Sequence, residues 1–347
     1  RHVELPRHHQ GMQVSQRDIL DRYQDPATDE LGILAAEILA DLRQRADDRN
    51  RGMLARVNGH LAPVAVDYER DVLPLTPEGN ATERHMLTAY VAAAERVYPD
   101  LAGRVHFWEE KLGMGSVEIE AIVNDVPSFK NTIRAKLMKR GGVGYVQPGP
   151  ETFPTVDEFH EMIALCGALP CFAWLDGTSA GEQDIEELLG LMVEKGAVAA
   201  NIIPDRNWNI RDPETRRIKV QNLHDFVRLA QKLDLPLNAG TEMNKHGLKL
   251  VDDFDVPELE PVRQAFMDGA HFIYGHTVMQ RARAVPVCTG QGYQSEWAKE
   301  HLPSRGERNA FYTRVGYLVE PGEGGMLRLK QAGTATRPDD VVSWLGG

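Results

Sequence analysis

From Thr155 onward the chain repeats one plan three times: a stretch with helical apolar spacing, a stop of small residues, then a short apolar run. That alternation is the signature of parallel βα architecture, and no other feature restricts the fold as much. In the first unit Thr155 and Glu158 form a capping-box pattern, 156–165 is predicted as a helix and 169–175 as a buried strand. The second has a helix at 184–195, Gly196 where a left-handed stop belongs, and a strand at 197–203. The third has a helix at 223–233 and a strand running from Leu235 into Gly240. The units share a plan but not a sequence, so they are an architecture rather than an internal repeat.

Upstream, Leu31, Leu34, Ala35, Ile38, Leu39, Leu42 and Ala46 recur at helical spacing. Further helices are predicted at about 82–96, 103–112, 117–124 and 128–139, then a short strand through Val143, Tyr145 and Val146. Beyond 255 a helix at about 259–267 precedes a strand-like run at 271–274 and Gly-rich turns at 322–325. The expected organisation is the end of an early barrel segment (1–30), a helical insertion (31–140), βα barrel units (141–255), and a segment that completes the barrel and extends it (256–347).

Charge and length narrow the function. The 347 residues suit roughly two domains or one large α/β barrel with a tail. With 39 Lys and Arg against 51 Asp and Glu the net charge is −12, the wrong sign for a nucleic-acid scaffold. No run approaches the roughly 18 apolar residues of a membrane span. Cys166, Cys171 and Cys288 form no CxxC pair, which points to a reducing, cytoplasmic setting. Residue 1 is Arg rather than Met, so further sequence upstream is expected.

In parallel α/β folds the chemistry lies on loops at the carboxyl ends of the strands. Three polar segments fall there: 174–179, 204–209 and 240–246. Glu242 and Asn244 supply hard oxygen donors for a divalent ion, with His246 as an added nitrogen; a Glu242 ion pair and an Asn244 turn have about equal weight. Asp205, Arg206 and Asn207 combine a carboxylate, a bidentate guanidinium and an amide, suited to a phosphate or carboxylate substrate; a solvated turn with an internal ion pair has about equal weight. Asp176 before Gly177 reads first as an Asx-turn. His271 and His276 sit in a strand-like setting, and only His276 is a functional candidate. Of His8 and His9, beside a strand-like 3–5, at most one would point inward.

The stretch at 71–90, "DVLPLTPEGNATERHMLTAY", and "LPLNAGTEMN" at 235–244 resemble the PHP (polymerase and histidinol phosphatase) family of metal-dependent phosphoesterases. The resemblance covers roughly residues 1–250 and implies a distorted parallel β/α barrel, TIM-like and PHP-type, with a helical insertion and a C-terminal extension. It places Arg84 and His85 on the family's Arg-x-His segment, with His85 a ligand or phosphate contact. It places Gly240 to Asn244 on the late Gly-Ser-Asp-x-His motif, with Glu242 for Asp and Asn244 for His. Trp174 and Leu175 stand where the family has His-Pro, and its opening His-x-His, its Asp-His and its early Glu are absent.

The expectation is therefore a metal-dependent hydrolase of a small phosphorylated substrate. His85, Glu242 and Asn244 would hold divalent ions (Mn, Fe or Zn), Asp205 and Arg206 would be catalytic, and Arg84, Asn207 and Lys245 would bind substrate. A sugar isomerase, an amidohydrolase-like enzyme and a metal-free ligand-binding pseudoenzyme are the alternatives. No membrane partner is expected, and a homo-oligomer is possible.

Overall fold

The computed structural model describes residues 26–149, 151–242, 249–281, 291–322, 324–325 and 337–346. The contacts divide the chain into two units, one of Glu37–Thr155 and one whose body begins at Val156.

Helices are the only regular elements among the described residues of the first unit. It comprises most of α1 (Pro26–Leu61), then α2 (Glu83–Val97), α3 (Leu101–Leu112), α4 (Ser116–Val123) and α5 (Val126–Ile133), which runs on as a π-turn through Arg134–Met138. Short polar devices start and stop these helices. The Asp100 carboxylate accepts from the Gly103 N–H at 2.7 Å to open α3, and Gly113 at φ +60° closes it. The core gathers Met86, Leu87, Tyr90, Val105, Trp108, Ile119 and Phe129, with Trp108 edge-on to Phe129 at 5.4 Å. The strand predicted through Val143 to Val146 is absent. That segment is a turn, in which the Gly144 N–H donates to the Leu137 carbonyl at 2.7 Å.

The second unit contains α6 (Val156–Leu165), β1 (Cys171–Ala173), α7 (Ile185–Glu194), β2 (Ala199–Ile202), the short α8 (Asp205–Trp208), α9 (Pro213–Lys232) and β3 (Leu237–Ala239). It continues with α10 (Arg263–Arg281), α11 (Glu296–His301), α12 (Arg305–Leu318) and α13 (Pro338–Gly346). The three strands are parallel in the order β1-β2-β3, with Phe172 opposite Ala200 and Asn201 opposite Asn238. Apolar side chains cover the sheet. Trp174 is fully buried and stacks on Phe226 of α9 at 4.4 Å, joined by Leu188, Leu189, Ala200, Ile202, Leu223 and Leu237.

This overturns the expected barrel. Among the described residues the sheet has three strands and is open, and helix makes up 65% of the structure against 4% strand, too little strand to close a barrel. The fold is mostly helical around a small parallel sheet. A second correction explains part of the difference: 271–274 is not strand-like but lies inside α10. Ala265, Phe266, Gly269, Phe272, Gly275, His276 and Met279 are all buried, a spacing of three or four that makes a helical face. A four-residue apolar run does not by itself separate that from a strand.

Glycines set how α10 packs. A Cβ on Gly269 would lie 1.8 Å from the Leu237 carbonyl oxygen of β3. On Gly275 it would lie 1.8 Å from the Tyr312 oxygen, and on Gly316 1.9 Å from the His271 oxygen. The backbones of α10 and α12 therefore touch directly, which only residues without a Cβ permit. Phe272, Tyr293, Tyr312 and Val315 fill the space around this contact.

Candidate functional site

The carboxyl ends of the three strands carry the polar groups. After β1 the Asp176 carboxylate accepts from the Thr178 N–H at 3.0 Å, the Asx-turn that Asp-Gly predicts, with Gly177 at φ +72°. Its other oxygen meets Lys219 Nζ of α9 at 2.8 Å. Burial opposes the Asp176 charge, but Lys219 and Thr178 outweigh it and hold the carboxyl below its ordinary value. Glu182, 1% exposed, accepts from the N–H groups of Leu175 at 2.7 Å and Gly177 at 3.2 Å. The Asn222 amide donates to the Asp176 carbonyl at 2.9 Å. The loop after β1 is thus fixed from three sides, and Asp176 is part of its frame.

After β2, Pro204 leads into α8. Asn207 is fully buried, and its amide donates to the carbonyls of Leu175 at 3.1 Å and Ile203 at 3.3 Å, which ties two strand-end loops together. It does not line the cleft described next. Arg206 and Asp205 do. Both Glu242 oxygens meet one guanidinium nitrogen of Arg206, Nη1, at 2.9 and 3.0 Å. Arg206 Nε is buried without a partner among the described residues, and so is Asp205 Oδ1. The other Asp205 oxygen accepts from Asn209 at 3.0 Å.

These groups face a cleft of about 240 Å³, just below the roughly 300–1,000 Å³ usual for small-molecule sites. Ile203, Asp205, Arg206, Lys219, Glu242, Lys249 and Asp252 are among its walls. Sequence reasoning missed three of them. Lys219 is one polar position on an amphipathic helix, Lys249 is an isolated exposed residue, and Asp252 sits in the acidic run "VDDFD", which reads as a solvated loop. No sequence signal separates Asp252, 7% exposed, from Asp253 beside it, which is exposed.

The remaining candidates are placed as follows. Asn244, Lys245 and His246 lie outside the described residues, as do His8 and His9. His85 and Arg84 belong to the first unit, at the start of α2. There His85 Nδ1 accepts from the Thr82 N–H at 3.0 Å, which caps the helix and puts the ring proton on Nε2, and burial lowers the His85 pKa. His276 is buried in α10, where its Nδ1 accepts from the Tyr293 N–H at 3.0 Å and burial lowers its pKa to about 4. It is a neutral core histidine.

The donor set fits a divalent ion only in part. Asp205, Asp252 and Glu242 offer oxygen donors of the kind Mg²⁺ or Mn²⁺ takes, yet Glu242 is engaged by Arg206, and no group of three His, Cys, Asp or Glu side chains converges among the described residues. The chemistry derived below therefore uses side chains alone. Among the described residues no helix is long and apolar enough to cross a membrane. Comparison with family models, curated proteins and solved structures finds no match to this chain.

Proposed function

We propose that this cleft holds the phosphate of a small phosphorylated substrate and that the chain is a phosphoester hydrolase. The observation that carries the reading is Arg206. Glu242 occupies only Nη1, and the buried Nε–H has no acceptor among the described residues, so the guanidinium keeps donor capacity for an incoming anion. Lys219 and Lys249 stand on the same walls, so three cations balance the three carboxylates Asp205, Glu242 and Asp252 there, on a chain whose net charge is −12. Asp205 beside Arg206 is placed to orient a water and take its proton, because one of its oxygens carries no other bond among the described residues.

Phosphate release from a set of phosphomonoesters tests the reading. The wild type is expected to turn over at least one, and Arg206→Lys to raise KM about tenfold or more, since an ammonium supplies charge without the planar fork. Unchanged kinetics in Arg206→Lys would remove Arg206, and with it the cleft, from the reaction.

A further inference from the structure

Between Asp125 and Glu151 the sequence holds five cations, Lys130, Arg134, Lys136, Lys139 and Arg140, and no acid, on a chain whose net charge is −12. In the first unit two of the five meet one carboxylate, that of Glu83 at the start of α2. Arg134 reaches Glu83 Oε2 through Nε at 2.5 Å, and Lys139 Nζ lies 2.9 Å from the same oxygen. Arg49 of α1 is a third cation beside them. It acts on Glu83 through charge alone, makes no hydrogen bond from its guanidinium among the described residues, and lies 5.1 Å from the centre of the Phe153 ring. Burial lowers the Arg49 pKa, with Glu83 opposing the shift.

Three cations therefore share one carboxylate. A guanidinium drawn partly out of water without an acceptor costs free energy that an incoming anion recovers. Arg134 spends only Nε on Glu83, so both its Nη groups keep donor capacity among the described residues. We propose that Arg49, Arg134 and Lys139 form a binding site for an oligophosphate chain. The site belongs to the other unit from the strand-end cleft and does not rest on the reading of that cleft. The need for linked phosphates follows from Glu83. Its carboxylate reaches Arg134 and Lys139 but not Arg49, and a single phosphate group is hardly wider than a carboxylate, so an anion that engages all three must be longer. Phe153, 45% exposed beside Arg49, offers an aromatic face at that end of the site, where the base of a nucleotide could stack.

Calorimetric titration of tripolyphosphate into the full chain is the test. The wild type is expected to bind saturably, and Arg49→Gln to weaken binding about tenfold or more, the loss of one charge-assisted contact. Lys136→Gln removes an exposed cation of the same strip outside the cluster and should change affinity by less than about twofold. Arg206→Ala should leave the binding in place. Absence of saturable binding, equal affinity in Arg49→Gln, an equal loss in Lys136→Gln, or loss in Arg206→Ala would each overturn the proposal, and the last would put the anion in the cleft. Should Arg49→Gln not fold, Lys139→Gln, whose wild-type side chain is 44% exposed, makes the same comparison. Inorganic phosphate titrated into Arg206→Ala should bind about tenfold or more weakly than tripolyphosphate, and equal affinity would overturn the requirement for a chain. ATP identifies the source. Binding tighter than that of tripolyphosphate, with the gain lost in Phe153→Ala, supports a nucleotide; equal binding of the two supports a free oligophosphate.

Discussion

Replacing Lys219 by Met isolates the frame that holds the cleft. The Lys219 and Asp176 side chains are 18% and 10% exposed and meet at 2.8 Å, so Lys219→Met leaves a carboxylate nearly out of water with only Thr178 as a direct partner. Removing one member of a buried pair costs about 3–5 kcal/mol, and the residual exposure and the Thr178 bonds place this case at the lower end, about 3 kcal/mol. Asp176→Asn alone should cost less, because the buried Lys219 ammonium is the longer and more adaptable chain and turns toward the open cleft. The double variant should recover at least about 1 kcal/mol relative to the sum of the singles, the sign of a direct coupling. Because the Asp176 carboxyl is held below its ordinary value of 3.8, its contribution is complete at neutral pH and is lost as pH falls through the folded value. Lys219→Met should therefore flatten the acid limb of the stability profile. Hydrogen exchange of the peptide spanning 171–182 as a function of urea reads the second unit separately from the first. Additive single and double variants, or a Lys219→Met protein as stable as wild type, would refute the reasoning.

Three further outcomes follow from the same geometry. Gly275→Ala drives a methyl into the Tyr312 carbonyl at 1.8 Å and should destabilise the second unit by about 1–3 kcal/mol or more, measured by urea unfolding. Trp174→Ala empties a fully buried site stacked on Phe226 and should cost about 3–5 kcal/mol by the same measurement. Glu242→Gln removes an ion pair whose side chains are 29% and 26% exposed and should change stability by less than about 1 kcal/mol, while binding of inorganic phosphate tightens because the competing carboxylate is gone.

The βα units were legible because a helical stretch stops at a small residue and a short apolar run follows, as Gly196 stands between α7 and β2. The helices of the first unit were legible from their apolar spacing. The number of strands in the sheet was not, since an alternation of helix and strand specifies parallel pairing without specifying closure. Nor was the course of α10, where glycines that read as breaks are the contacts on which it packs against β3 and α12. At the site, Asp205, Arg206 and Glu242 were legible because they follow strand ends directly. Asp252 and Lys219 were not, because what sets them apart is burial and a partner 47 or 43 residues away in the chain. Asn207 carried a polar type at the right place, yet both its donors serve backbone carbonyls.

Titration of inorganic phosphate into the wild type and into Arg206→Ala, followed by calorimetry, tests the central claim most directly, because hydrolysis of a phosphomonoester releases this product. Saturable binding at millimolar phosphate in the wild type, lost in Arg206→Ala with the fold intact by circular dichroism, is the result the cleft predicts. No binding to the wild type, or equal binding to both proteins, would contradict it.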